Sequence, residues 1–251
     1  MEPAKINHYA PRAKRRLDVV LAEQGLVASR SQAESYVRLG QVKVNGKLAR
    51  KPGELVRPDD QIVLAVTEQY VGRAALKLKS AAITFGLDFA GKTVLDVGSS
   101  TGGFTQYALN HGATKVIAVD VGTDQLHPSL HGNPAIELHE KTDIRDFTTS
   151  QTIDMVVGDV SFISLREILP HVATLVSPQT DIIAMVKPQF EASQSSKKHK
   201  GVIKNDKMRR EILKDFEQWA LSRFKVLQKA DSEVPGGKGN VERFYRLRKL
   251  A

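Results

Sequence analysis

Cysteine is missing from the 251 residues, which excludes disulfides, thiolate nucleophiles and cysteine-based metal centres. Long apolar runs are missing too. The longest, Ile62 to Val66 and Ile182 to Val186, fall far below the roughly 20 residues that a membrane helix needs. Arg12, Lys14, Arg15 and Arg16 have no apolar stretch behind them, so a secretory signal is not expected. A cytoplasmic protein with no membrane partner and no metal is the expectation. Acidic residues are in deficit: 28 Asp and Glu face 37 Lys and Arg, a net charge of +9, which points to a polyanionic partner. The imbalance is densest at the start, with 12 cations against 7 anions in residues 1–65 and 25 against 21 in the other 186. The length suits one or two domains.

What is present centres on Thr93-Val94-Leu95-Asp96-Val97-Gly98-Ser99-Ser100-Thr101-Gly102-Gly103-Phe104. A β-favouring run, an acid, a Gly/Ser loop and a probable helix start form the opening of a nucleotide-binding α/β domain. A dinucleotide fingerprint would need glycine at 98, 100 and 103, yet position 100 is Ser. No Lys-Ser or Lys-Thr pair closes a phosphate-cradling loop either. The remaining pattern, D-x-G-x-S-x-G-G, suits a nucleoside without phosphates, and S-adenosylmethionine is one. The plain alternative is a tight turn that serves only the fold.

Beyond this loop strand and helix patterns alternate. Strands are expected at 93–96, 115–120, 136–139, 155–158, 181–186, 225–229 and 243–248, and helices at 103–110, 162–176 and 205–222. That order predicts a doubly wound, mostly parallel seven-stranded α/β sheet, its last two strands antiparallel across a Gly-rich turn. Ligands of such sheets sit at the carboxyl ends of strands, where Asp96, Asp120, Asp143 and Asp159 fall in turn. The donor contacts expected are Asp96, Gly98, Ser99, Ser100, Thr101, Gly102, Gly103, Phe104, Asp120, Val121, Asp143, Ile144 and Asp159. A further amphipathic helix is expected over 72–85, with Leu76, Ala82 and Ile83 inward; Lys77 lies among its apolar residues, where a lysine ordinarily reaches out to solvent. Lys187 follows the fifth strand in K-P-Q-F-E, and Glu242 follows the Gly-rich turn in G-N-V-E. Each of these charges alone reads as solvated.

Ahead of the α/β region, residues 1–13 read as a disordered basic arm and 66–71 as a linker. Between them Leu17, Val20 and Leu21 mark one helix and Ala33, Tyr36, Val37 and Leu39 a second, opened by Ser29. Val42-Lys43-Val44, the turn Asn45-Gly46 and Lys47-Leu48-Ala49 follow as a hairpin. Residues 14–65 resemble the RNA-binding module of ribosomal protein S-four. The resemblance implies that Arg30, Arg38, Lys43, Lys47, Arg50 and Lys51 meet folded RNA, with Arg15 and Arg16 able to reach a phosphate backbone.

With Arg73-Ala74-Ala75-Leu76-Lys77-Leu78, K-P-Q-F-E and G-N-V-E in place, residues 72–251 together with this module resemble the TlyA family of ribosomal RNA ribose methyltransferases. Its catalytic domain is similar to FtsJ-type 2′-O-methyltransferases, whose Lys-Asp-Lys-Glu tetrad maps onto Lys77, Asp159, Lys187 and Glu242. The resemblance implies an S-adenosylmethionine-dependent enzyme acting on a ribose 2′-hydroxyl, of cytidine in ribosomal RNA or a ribosomal subunit, with a monomer favoured. Departures are Gly72 for Ser, Asp143 for Asn, and Thr123-Asp124 for a small aromatic pair. Lys187 is either the general base or, kept protonated, the stabiliser of the developing alkoxide. Lys197, Lys198 and Lys200 are expected on a loop that closes over RNA. The alternatives are a non-catalytic RNA-binding or ribosome-assembly factor, a haemolysin and a nicotinamide dehydrogenase, the last disfavoured by Ser100.

Overall fold

Buried apolar runs form the central strands of this chain, and polar caps at Ser29, Ser164 and Asn205 open three of its described helices. The structure is a computed structural model that describes residues 13–27, 29–65, 70–192, 201–236 and 239–250. It divides into two units, residues 1–69 and 70–251. The basic arm at residues 1–12 and residues 66–69 of the expected linker lie outside the described residues. Tyr70, read above as linker, is buried within the second unit, its ring 5.9 Å from that of Tyr107.

In the first unit β1 (Arg15–Arg16) leads into α1 (Leu17–Glu23), whose Leu17 and Leu21 share a buried face. Ser29 opens α2 (Arg30–Arg38) by accepting the backbone N–H of Gln32. Asn45 and Gly46, both at positive φ, fold β2 (Val42–Val44) onto β3 (Lys47–Leu48), as that dipeptide predicts. β4 (Leu55–Val56) pairs with β1, and β5 (Ile62–Leu64) joins β2. The β1–β4 pair has no sequence signature, because two-residue strands are too short to show alternation.

The second unit holds α3 (Ala74–Phe85), β6 (Thr93–Val97), α4 (Gly103–Asn110), β7 (Lys115–Val119), β8 (Ile136–His139), β9 (Met155–Gly158), α5 (Leu165–Val172), β10 (Asp181–Val186), α6 (Pro188–Glu191), α7 (Asp206–Leu221), β11 (Phe224–Asp231) and β12 (Arg243–Lys249). Its seven-stranded sheet runs β11-β12-β10-β9-β6-β7-β8, parallel from β10 to β8, with β12 antiparallel to both neighbours. This is the doubly wound sheet that the alternating pattern predicts. Leu95, Val97, Val156, Ile182, Tyr245 and Leu247 face one core, shared with Leu169 of α5 and Phe216 of α7. The intervening residues face the other side, where Asp96 meets Thr105 of α4.

Two expectations need correction. Ile83 is 73% exposed rather than inward, although Leu76 and Ala82 are buried. The buried face of α3 also takes in Lys77, Leu78, Ala81 and Phe85, and Ile83 lies outside it. The helix expected from Phe162 starts at Leu165, because Phe162 has φ +69° and Ser164 caps the first turn.

At the start of β10 the buried Asp181 accepts from Arg246 at 2.5 and 3.0 Å and from Arg248 at 2.7 Å, tying β12 to its neighbour. Burial pushes this carboxyl up, but the two guanidinium groups outweigh it and hold it below its ordinary value. A lowered folded value means stability present above the unfolded pKa and lost as pH falls through the folded one. Asp181→Asn is therefore expected to cost about 2 kcal/mol in urea unfolding at neutral pH, with the difference from wild type shrinking in acid.

Candidate active site

Reversal of strand order between β6 and β9 opens a crevice at the carboxyl edge of the sheet. A cleft of about 300 Å³ occupies it. Gly98 and Ser100 after β6, Asp120 and Val121 after β7, Asp143 and Ile144 after β8, and Asp159 to Ile163 after β9 supply its walls. The carboxylate of Asp120 is fixed by the N–H of Gly122 at 2.7 Å and of Ser100 at 2.8 Å, and each oxygen keeps a lone pair for a ligand. Gly98 has φ +79°, and a Cβ there would come within 3.2 Å of the Val160 Cα, so only glycine lets the floor lie this close. Asp143 is engaged by Arg145 at 2.6 and 3.0 Å, and that guanidinium holds its carboxyl below the usual range. Any hydrogen bond from an adenine amine would share this carboxylate with Arg145.

Other residues expected to touch the donor do not line the cleft. Asp96 is 0% exposed beneath the loop; one oxygen accepts the Thr105 hydroxyl at 2.6 Å and the other has no partner. Burial pushes its carboxyl up to about 7; the Thr105 hydrogen bond pulls the other way, and Asp159 and Asp120 add repulsion. Ser99 is buried with its hydroxyl unpaired, and Thr101 is exposed away from the cleft. Gly102 and Gly103 serve packing: a Cβ would stand 2.5 Å from Leu130 Cδ1 and 2.9 Å from Ala74 Cβ, respectively. Phe104 is buried with its ring stacked 6.2 Å from Phe244. Gln125, Ser161 and Phe162 line the cleft without having been singled out from the sequence. The only sequence signal for the last two is that they directly follow Asp159.

This lining fits S-adenosylmethionine on its chemistry. Among the described residues the lining holds three carboxylates and no lysine or arginine, which suits a cationic nucleoside and disfavours a polyphosphate. Val121, Ile144, Val160 and Ile163 offer apolar walls for a base. Among the described residues no cluster of His, Asp and Glu is placed to hold a metal ion.

Lys77, Asp159, Lys187 and Glu242 come together as two ion pairs. Lys77 on α3 is 5% exposed, and its Nζ lies 2.5 Å from Glu242 Oε2, 165 positions away in sequence. Lys187 follows β10; its Nζ lies 2.6 Å from Asp159 Oδ1 and donates to Ser161 Oγ at 2.6 Å. The contact with Oδ1 is close but too far off-axis to count as a hydrogen bond. Val186 faces Arg243 across β10 and β12, so Lys187 and Glu242 sit at neighbouring strand ends.

In the first unit half of the expected RNA contacts are held by neighbouring acids. Arg15 meets Glu23, Arg16 and Arg30 meet Asp18, and Arg38 meets Glu34. Arg16, Arg38, Arg50 and Lys51 nevertheless edge a groove of about 420 Å³ with Glu34 and Glu54. Lys43 and Lys47 stand exposed on the hairpin. Lys197, Lys198 and Lys200 lie outside the described residues.

The raised carboxyl of Asp96 has a measurable consequence. Its folded value exceeds the unfolded one, so the fold favours the protonated acid, and this contribution is full at low pH and lost as pH rises through the folded value. Asp96→Asn is expected to flatten the decline in stability between about pH 4 and pH 7, and a carboxyl-carbon NMR titration of the wild type should place the midpoint near 7.

Comparison with known proteins agrees with this geometry. The FtsJ-like methyltransferase model matches residues 70–249 and the S4 domain model residues 15–62. The chain is 38% identical over 241 residues to the 16S/23S rRNA (cytidine-2′-O)-methyltransferase TlyA of Mycobacterium tuberculosis, covering 93% of this chain and 89% of that one. It is 42% identical over 201 residues to the 23S rRNA (cytidine-2′-O)-methyltransferase TlyA of Campylobacter jejuni, covering 77% of each. A solved structure from Streptococcus thermophilus, labelled a hemolysin, superposes with a TM-score of 0.68 at 34% identity over 95% of this chain and 89% of that one. With one family matched across nearly all of the second unit and an S4 domain ahead of it, the chain belongs to the FtsJ-like methyltransferase family, among its TlyA members.

Proposed function

We propose that this protein transfers a methyl group from S-adenosylmethionine to a ribose 2′-hydroxyl, of cytidine, in ribosomal RNA. The observation that carries the reading is the pair of lysine–carboxylate contacts, Lys77–Glu242 and Lys187–Asp159, the second of which shares its Asp159 with a cleft walled by acids. The related proteins of M. tuberculosis and C. jejuni are named for this reaction. An RNA-modifying enzyme of this kind works where ribosomes are assembled, in the cytoplasm.

When bound, the donor supplies a methyl group made electrophilic by its sulfonium. Asp120 would take the ribose hydroxyls, and Asp143, shared with Arg145, would receive the adenine amine. The 2′-oxygen forms a bond to the methyl carbon as the sulfur–carbon bond breaks, and the hydroxyl proton leaves the oxygen. Holding oxygen and methyl in line accounts for much of the acceleration. Lys187 is the group assigned to the departing proton. As a neutral amine it would accept that proton; as an ammonium it would stabilise the alkoxide while the proton passes to solvent water. The carboxylate of Asp159 at 2.6 Å favours the second role, because a nearby anion stabilises the charged amine. Lys77 and Glu242 neutralise each other beside it and fix the rim.

The basic first unit supports the RNA end of the reading. Lys43 and Lys47 on the hairpin and the cationic groove around Arg16, Arg38, Arg50 and Lys51 match a phosphate backbone. A non-catalytic assembly factor would have no need of the paired charges, and the hemolysin reading gains nothing from a cleft suited to group transfer.

Two outcomes test this. With labelled donor and ribosomal RNA, Lys77→Ala and Lys187→Ala are each expected to lower the rate by roughly a hundredfold or more, while Lys187→Arg retains activity if the ammonium role is right and loses it if the base role is. Lys43→Ala and Lys47→Ala are each expected to weaken RNA binding and to reduce the slope of log K against log salt by about one, leaving donor affinity unchanged.

A further inference from the structure

Glu191 closes the K-P-Q-F-E stretch, and the chemistry above gives it no task. It is 1% exposed. Its Oε2 accepts the Ser164 hydroxyl at 2.6 Å and its Oε1 the N–H of Leu165 at 2.7 Å, with Arg166 Nε 3.5 Å from Oε2. Burial raises its carboxyl above the ordinary value even though these partners pull it down. A helix start already capped by Ser164, whose hydroxyl accepts from the N–H of Arg166, does not need a second, buried carboxylate for stability alone.

The backbone links this carboxylate to the reacting amine. The N–H groups of Phe190 and Glu191 both return to the carbonyl of Lys187, at 2.9 and 3.2 Å, so Lys187 and Glu191 are the two ends of one helical turn. Each end grips the segment from Asp159 to Leu165. Lys187 holds Asp159 and Ser161, and Glu191 holds Ser164 and Leu165. Between the two grips lies Phe162, 90% exposed, at φ +69°, with its ring 5.2 Å from that of Phe190. A left-handed aromatic residue persists only where its surroundings over-determine the backbone.

We infer that Glu191 is a positioning residue: by clamping the start of α5 it fixes the Asp159-to-Ser164 segment, and through that segment the place of the Lys187 amine. This rests on the reading of Lys187 as the group that acts on the ribose hydroxyl. Misplacing such a group by about 1 Å is enough to cost roughly a hundredfold in rate.

The test uses the full chain, labelled donor and ribosomal RNA, with single-turnover rates measured across pH at saturating donor. Glu191→Gln keeps an acceptor for the Leu165 N–H and reverses the Ser164 contact, its amide donating to the hydroxyl that Glu191 accepts from, so it is expected to stay within about threefold of wild type. Glu191→Ala is expected to lose roughly ten- to a hundredfold in rate and to move the midpoint of the pH–rate profile. A folded Glu191→Ala protein with the wild-type rate and midpoint, whatever its melting temperature, overturns the inference. If Glu191→Ala does not fold, Glu191→Asp replaces it: the acid is kept but falls short of its two partners, and an unchanged rate and midpoint overturn the inference equally. Lys187→Ala, run alongside, separates the two failures. Should it keep the wild-type rate, the reading of Lys187 fails and Glu191 falls with it. Should it lose activity while the Glu191 variants keep theirs, only the Glu191 inference fails.

Discussion

Two lysine–carboxylate pairs, in which Lys77, Lys187 and Glu242 are buried and Asp159 is half-buried, are the constraint around which the second unit is built. Taking an ion out of water costs several kcal/mol even after the surroundings relax, and mutual attraction repays this only when partners are close. The Lys77–Glu242 and Lys187–Asp159 contacts, at 2.5 and 2.6 Å, meet that condition. For stability alone an apolar replacement of similar volume would serve at least as well. Stability alone therefore does not account for the pairs.

The fold is the means of bringing these charges together. Asp159 and Lys187 leave the parallel strands β9 and β10, while Glu242 enters on the antiparallel strand β12. Asp181, gripping Arg246 and Arg248, fixes β12 in register with β10. Arg209 of α7 donates to the carbonyl of Val241 at 2.9 Å, immediately before Glu242. The last side of the rim comes from α3, which turns Lys77 inward on a stripe of apolar neighbours. Position is thus set by covalent order at the strands and by packing at the helix.

That difference explains what could be read from the sequence. Strand ends are legible because a buried parallel strand reads as an apolar run that stops abruptly, and Asp120, Asp159 and Lys187 each stand at such a stop. The paired charges were reached through resemblance, since no periodicity links position 77 to position 242. The burial of Lys77 was missed because a lysine that ordinarily reaches solvent lies here against a carboxylate absent from its own element. The loop at 98–104 was read as a continuous ligand bed, yet its two adjacent glycines admit Leu126, Leu130 and Ala74 instead. Glycine for ligand approach and glycine for packing look alike in one dimension. Glu191 was quoted within a motif but given no role, because its partners Ser164 and Leu165 lie 27 and 26 positions earlier.

The central claim is that the methyl group lands on a ribose 2′-oxygen, and the chemical position of the methyl tests it most directly. Ribosomal RNA methylated by this protein with labelled donor, then digested by alkali, should yield its label in alkali-resistant dinucleotides, because a 2′-O-methyl group blocks attack on the neighbouring phosphate. Label recovered in mononucleotides, as a base methyl would give, or found in protein instead of RNA, would contradict the account.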